Sequence, residues 1–204
     1  MTENKNVEMC NELLDEKNLF DVYLTSRKIP FSNTNIFLLT IFSIISLSLS
    51  LGITSSELAE MIPTISASLI SVILTVLGFL IAGYAIFCSV MNHTLSIEIY
   101  NSNTKPFGFS QLKYSHLLFM RVFFYYLLYT MILTFIIFFS KSKILEPLIT
   151  SKIENINCFY HLINYLVFNI LFIGISFLLL QLASFTFNIY HSVMTSICLN
   201  EINK

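Results

Sequence analysis

Four long stretches without a charged side chain constrain this chain more than any other feature. No Asp, Glu, Lys or Arg occurs in residues 29–56, 61–97, 122–140 and 155–200. An α-helix needs about 20 apolar residues to cross the hydrocarbon of a bilayer, so each stretch can hold one crossing. The chain is 55% hydrophobic and 11% charged, whereas a soluble domain is about a quarter charged. The sequence therefore predicts an all-α polytopic membrane protein with four transmembrane helices.

Prolines and polar segments between these stretches indicate where the helices end. A proline inside a helix removes a backbone hydrogen bond, so Pro63, Pro106 and Pro147 are predicted to lie in the connections. The predicted spans are residues 35–55, 65–91, 116–140 and 161–187. They divide the chain into a segment 1–34, a transmembrane domain 35–187 and a helical extension 188–204.

The distribution of Lys and Arg predicts the orientation of the chain. Cytoplasmic loops carry an excess of these residues. With the N-terminus inside, eight basic residues lie on the cytoplasmic side, and only Lys141, Lys143 and Lys152 lie outside. Both termini are therefore predicted to be cytoplasmic.

The N-terminal segment carries an apolar pattern of its own. Met9, Leu13, Phe20 and Leu24 recur at helical spacing among acidic residues, which predicts a short acidic amphipathic helix. Helices that lie on a membrane surface are rich in Lys and Arg, because the cytoplasmic leaflet is anionic. The apolar face of this helix is therefore expected to contact a protein. A disordered tail is the alternative.

A stripe of small side chains, which we name the small-residue seam, runs along the second span. Alternating steps of three and four residues meet only small side chains: Ser68, Ser71, Thr75, Gly78, Ala82, Ala85 and Ser89. Lipid tails are as apolar as Leu, so membrane helices associate where small side chains let backbones approach. Three interpretations remain open: packing within the chain, self-association into a homo-oligomer, and a hydroxyl-lined pore.

The fourth span carries a polar stripe on one helical face, formed by Gln181, Ser184, Asn188 and His191. Polar side chains at membrane depth face other helices or a partner. Together with the N-terminal apolar face, these residues are candidates for docking a soluble cytoplasmic subunit. His191 has no carboxylate neighbour in the sequence, which favours an interface residue over a proton site.

The chain shows no sign of catalytic chemistry. It contains no H-E-x-x-H, G-x-S-x-G or P-loop motif, and the predicted spans hold no Asp, Glu or Lys. No catalytic residue, cofactor or metal site is predicted, and the net charge of −1 disfavours direct binding to nucleic acid. Arg121 lies at the inner end of the third span among aromatic residues, and it is expected to reach lipid headgroups. An aromatic ligand cage is the alternative there.

One stretch of the second span carries a family resemblance. The run Val76–Phe87 reads VLGFLIAGYAIF, and a short basic loop and the sequence Arg121-Val122-Phe123 follow it. With 204 residues and four spans, the chain resembles the membrane subunit of the Kiwa antiphage defence system. The resemblance implies a non-enzymatic protein of the bacterial inner membrane that forms a tetramer. It would hold a cytoplasmic DNA-binding subunit and sense membrane perturbation during phage attachment.

The expected function is therefore that of a membrane scaffold and sensor, in contact with the lipid bilayer and with a soluble subunit. The alternative is a pore-forming effector, or small ion channel, that depolarises the membrane when triggered. Ion flux through the protein alone would favour the alternative, and a co-purifying soluble subunit would favour the scaffold.

Overall fold

The computed structural model describes residues 2–91, 93–101, 105–141 and 154–202, and it is helical throughout. No strand occurs in these ranges. The helices, in chain order, are α1 (Thr2–Leu13), α2 (Leu19–Ser26), α3 (Asn33–Leu51), α4 (Ser55–Val90), α5 (His93–Tyr100), α6 (Gln111–Lys141) and α7 (Glu154–Ile202). A 3₁₀ turn, Pro106–Gly108, precedes α6.

Four of these helices contain a stretch that is long and apolar enough to cross a membrane. The stretches are Asn33–Leu51, Ser55–Ser89, Gln111–Ser140 and Phe159–His191. The predicted all-α fold with four membrane-spanning helices is thereby confirmed. At 1.5 Å per residue, α4, α6 and α7 exceed the roughly 30 Å of hydrocarbon, so their ends reach the headgroup region or beyond.

All four long helices begin before the predicted spans, because hydropathy detects only the apolar part of a helix. α4 begins at Ser55 rather than at residue 65, so Pro63 lies inside it and its predicted place in a connection is wrong. Proline is tolerated in transmembrane helices because neighbouring groups satisfy the freed backbone carbonyl. Pro106 lies in the 3₁₀ turn between α5 and α6, whereas Pro147 lies outside the described residues.

The N-terminal segment forms two helices rather than the single amphipathic helix predicted from Met9 to Leu24. α1 ends at Leu13 and α2 begins at Leu19. Asn18 precedes α2 with an extended backbone, and its side-chain oxygen accepts a hydrogen bond from the Asp21 N–H at 2.9 Å. Asn is a strong N-cap because its short side chain bonds to the backbone at a helix start. Apolar periodicity does not reveal this break.

The chain divides into two compact units, and each is described by itself. The first unit comprises residues 1–31, 79–124 and 182–204, and the second comprises residues 32–78 and 125–181. In the first unit, Ile29 is buried with Leu117 and Leu118, and Val22 packs against them. The end of the N-terminal segment is therefore packed on the beginning of α6.

Buried polar side chains join α7 to α3 and α4 in the second unit. The Asn169 side-chain oxygen accepts a hydrogen bond from the Ser46 hydroxyl at 2.6 Å, and its amide donates to the Ser50 hydroxyl at 3.2 Å. The Asn164 amide donates to the Ser55 hydroxyl at 3.0 Å. All five side chains are buried. Such bonds hold membrane helices together because lipid offers polar groups no other partner.

α6 and α7 approach each other closely at Gly174. A Cβ atom on Gly174 would lie 2.8 Å from Cζ of Tyr129, which is closer than real Cβ contacts. The Tyr129 hydroxyl donates to the main-chain oxygen of Leu171 at 2.6 Å, and the Tyr126 hydroxyl donates to that of Leu178 at 3.3 Å. The absent side chain at Gly174 thus makes room for the Tyr129 ring.

Gly174→Ala is expected to destabilise the protein, because the added methyl group must displace the Tyr129 ring from its hydrogen bond to Leu171. We expect a loss of about 1–3 kcal/mol, the usual cost of overpacking. Gly83→Ala is the matched control, since a Cβ atom there meets nothing within 4 Å. Titration of the detergent-purified variants with SDS, followed by circular dichroism, measures both. Equal stability of the two variants would contradict the close approach at Gly174.

Candidate functional site

All seven residues of the small-residue seam are exposed on the surface of α4. The opposite face of the same helix is buried and carries large side chains, including Leu58, Ile62, Ile73, Leu77 and Leu80. A Cβ atom on Gly78 would meet nothing within 4 Å. Packing within the chain, the first of the three interpretations of the seam, therefore finds no support among the described residues.

Three of the four hydroxyl groups of the seam bond to the helix that carries them. Ser68 donates to the main-chain oxygen of Thr64 at 3.1 Å, and Thr75 donates to that of Ser71 at 2.9 Å. Ser89 donates to the main-chain oxygen of Ile86 at 2.8 Å. These donors are satisfied without water, so this face is chemically compatible with lipid or with another helix.

The four apolar candidates in the N-terminal segment do not share one surface. Met9 and Leu13 are half-buried, and Leu13 packs against buried Ile99 and Leu112 in the first unit. Phe20 and Leu24 lie on α2 and are 59% and 46% exposed. Only the α2 pair therefore offers apolar surface to a partner.

The polar stripe of the fourth span also has mixed surroundings. Gln181 is buried in the second unit, whereas Ser184 and Asn188 are half-buried in the first. His191 is exposed, and its ring stacks on Phe187 with a centroid distance of 6.5 Å. The stripe therefore runs from a buried position to an exposed one.

A buried cation ties the N-terminal segment to the start of α6. Lys113 is 6% exposed, its ammonium group pairs with the Glu16 carboxylate at 2.9 Å, and it donates to the main-chain oxygen of Glu12 at 2.5 Å. The Glu12 carboxylate accepts a hydrogen bond from the Ser110 N–H at 2.9 Å. Burial acts to raise the pKa of Glu12, but hydrogen bonds from Ser110 and Tyr100 and the charge of Lys113 together outweigh it and hold the pKa below its usual value.

A second buried cation, Arg121, holds the end of α2. Its guanidinium donates to the main-chain oxygens of Ile29 at 2.7 Å and Ser26 at 3.4 Å, and it lies 5.0 Å from the ring centre of Phe31. Ser26 is the last residue of α2, where helical carbonyls lack partners within the helix. Arg121 was expected to reach lipid headgroups, and that prediction is wrong because the side chain is buried against these carbonyls.

Aromatic side chains of α4, α6 and α7 surround a small cavity in the first unit. Its volume is about 50 Å³. The apolar part of its lining is formed by Tyr84, Phe87, Leu118, Phe119, Phe185 and Ile189. The polar part is formed by Gln111, Tyr114, Ser115, Asn188 and His191. The Tyr84 ring stacks on Phe119 with a centroid distance of 4.1 Å, and its hydroxyl lies 2.9 Å from Nδ1 of His116.

The contacts of Lys113 with Glu12 and Glu16 in the first unit are not recognisable from the sequence. Lys113 was counted only as a charge that sets orientation, and Glu12 and Glu16 only as part of an acidic face. Their partners lie about a hundred positions away along the chain, so no local pattern joins them. The only signal in the sequence is that Lys113 and the two glutamates, Glu12 and Glu16, carry opposite charges.

Comparison of the chain with protein-family models, with curated proteins and with solved structures returns no match in any of the three. Among the described residues, no group of three or more His, Cys, Asp or Glu side chains is placed to hold a metal ion. Function is therefore inferred from the geometry of the chain itself.

Lys113→Met is expected to loosen α1 and α2, because it leaves the Glu16 carboxylate buried without its counter-ion. Removing one partner of a buried ion pair costs about 3 kcal/mol or more. Hydrogen–deuterium exchange of the purified protein should show faster exchange in residues 2–26. Lys105→Met, at an exposed lysine, is the control and should leave this exchange unchanged. Unaltered protection in the Lys113 variant would show that the ion pair does not hold the segment.

Proposed function

We propose that this chain is a non-enzymatic membrane scaffold that assembles with copies of itself and holds a soluble partner through its N-terminal segment. The observation that carries the proposal is the exposed small-residue seam of α4. The resemblance to the membrane subunit of the Kiwa system supports the same function. On that proposal the chain forms a tetramer in a bacterial inner membrane, and its partner is a cytoplasmic DNA-binding subunit.

The seam supports self-association because of its length and its composition. From Ser68 to Ser89 it extends about 32 Å at 1.5 Å per residue, close to the thickness of the hydrocarbon. A face that meets only lipid gains nothing from small side chains, whereas a neighbouring helix gains close backbone contact. Since the described part of the chain places nothing against Gly78, the proposed neighbour is α4 of another copy.

The N-terminal segment supports partner binding because α2 presents apolar side chains from a fixed position. Phe20 and Leu24 are exposed on α2, and Arg121 bonds to the carbonyl group of Ser26 at its end. Apolar groups clustered on a water-exposed surface mark interaction sites. The excess of Lys and Arg on the N-terminal side favours a cytoplasmic location for this surface.

Sensing is proposed to follow from assembly within the bilayer. Transmembrane association depends on the lipid that surrounds the helices, as well as on their direct contacts. A change in the membrane during phage attachment would alter the association of copies at the seam. The soluble partner, held at the N-terminal segment, would then respond to that change.

Gly78→Leu and Ala82→Leu are expected to disrupt the oligomer, because each adds bulk where two backbones approach. Both positions are exposed, so neither substitution should disturb the fold of a single copy. Ile81→Leu is the control, because this exposed residue lies off the seam and its volume is conserved. Native mass spectrometry of the detergent-purified variants measures the assembly. If all three variants assemble like the parent, the seam contacts lipid and self-association must occur elsewhere.

A pore or small channel is the competing function, and ion flux separates it from a scaffold. Protein reconstituted alone into liposomes should not dissipate an ion gradient if it acts as a scaffold. Flux that disappears in the Gly78→Leu variant would favour a pore formed at the seam.

Replacement of both Phe20 and Leu24 by Ser is expected to release the soluble partner while the protein still inserts and oligomerises. The reason is that these side chains supply the exposed apolar surface of α2, yet they contribute little to the fold. Leu14→Ser is the control, since Leu14 is 76% exposed but lies outside α2. Pull-down from host cells followed by mass spectrometry compares the amounts of soluble protein. Full retention by the double variant would exclude α2 as the docking surface.

A further inference from the structure

The cavity of the first unit lies at the ends of three apolar helices. Tyr84 and Phe87 belong to the last two turns of α4, and Gln111 is the first residue of α6. His191 is the last residue of the apolar stretch of α7. The three apolar stretches are longer than the roughly 30 Å of hydrocarbon, so their ends lie in or beyond the headgroup region. The boundary between hydrocarbon and headgroups, where tyrosines and cations concentrate in membrane proteins, therefore lies inside these ends. The cavity therefore lies at the depth of this boundary.

Most of the polar side chains of the cavity lining lie towards the ends of the apolar stretches, where Phe87 and Ile189 add apolar surface. Leu118, Phe119 and Phe185 lie closer to the middle of their spans, whereas Gln111 and Asn188 lie closer to the ends. An occupant is thus offered an apolar wall on the membrane side and neutral amide groups on the outer side. This arrangement suits a molecule with a hydrocarbon chain towards the membrane centre and a polar, uncharged group towards the membrane surface.

The two cations nearest to the cavity in the sequence are engaged elsewhere. The Lys113 ammonium pairs with Glu16, and the Arg121 guanidinium donates to carbonyls at the end of α2. Neither residue lines the cavity, and neither does any Asp or Glu. Apart from His191, the lining therefore offers neutral groups. These suit the ester group of a phospholipid, which accepts hydrogen bonds from amides, better than its charged phosphate.

We propose that this cavity binds the carbonyl end of one acyl chain of a membrane phospholipid. The first methylene groups contact Leu118, Phe119 and Phe185, and the ester carbonyl accepts a hydrogen bond from the amide of Gln111 or Asn188. A pocket for a whole small molecule encloses about 300 Å³ or more, whereas this cavity has about 50 Å³. It therefore takes a short part of one chain while the rest stays in the bilayer. Such a site requires no oligomer, so it stands or falls independently of the proposed function.

Photolabelling of the full chain in vesicles of phosphatidylethanolamine and phosphatidylglycerol tests this site. One trace phospholipid carries a diazirine beside the acyl carbonyl, and a second carries it at the end of the chain. Mass spectrometry maps the labelled residues. We expect the carbonyl-side probe to label the cavity lining in preference to Leu128 and Phe135, which are exposed on α6. The chain-end probe should show no such preference.

Two variants and a control separate binding from general lipid contact. Ser115→Phe places a ring into the cavity and should abolish the preferential labelling, whereas Thr134→Phe, at an exposed position of α6, should preserve it. Replacement of both Gln111 and Asn188 by Leu removes the amides but no apolar wall, so this double variant should also lose the preference for the carbonyl-side probe. It decides the matter if the Ser115 variant does not fold. Labelling spread equally over the exposed faces, or unchanged labelling in a folded Ser115→Phe variant or in the folded double variant of Gln111 and Asn188, would overturn the proposal.

Discussion

The structure of this chain depends on one constraint, which is that lipid supplies no hydrophobic force between helices. A Leu on a helix surface is as stable against an acyl chain as against another Leu, so apolar burial cannot choose the neighbours of a membrane helix. The choice falls to polar groups and to close backbone contact. In the second unit, Asn169 bonds to Ser46 and Ser50. The Tyr129 ring packs on Gly174, and its hydroxyl bonds to the main-chain oxygen of Leu171.

The first unit meets the same constraint with charges. Lys113 and Arg121 are buried, and each bonds to main-chain oxygens of the N-terminal segment. Carbonyl oxygens are fixed by the backbone, so these bonds define the position of the segment more strictly than apolar contacts do. Because of these bonds, Lys113 and Arg121 are not available to lipid phosphates. What remains at that end of the helices is a neutral, partly aromatic lining.

The sequence was sufficient for the number and type of the long helices, because charge-free stretches of about 20 residues have no other stable solution in a chain of this composition. It was insufficient for the ends of these helices, because a helix can extend beyond its apolar residues. α4, for example, begins at Ser55, before Pro63. The seam was found because a helical face is a local pattern. Contacts such as those of Lys113 with Glu12 and Glu16 were missed because only the tertiary fold brings them together. Asn18 is a typical helix N-cap residue, but the apolar periodicity from Met9 to Leu24 predicts one continuous helix across it.

The placement of the polar contacts has a consequence for biogenesis. The hydroxyls of Thr40, Ser43 and Thr75 donate to carbonyls of the helices that carry them, so these groups impose little penalty when α3 and α4 enter the bilayer. The Asn164 amide and the Asn169 side-chain oxygen bond instead to residues of earlier segments. Both lie on α7, which is synthesised after α3 and α4. Their partners on α3 and α4 are already in the membrane when α7 is inserted. The order of synthesis therefore lets these side chains form their hydrogen bonds as α7 enters the hydrocarbon.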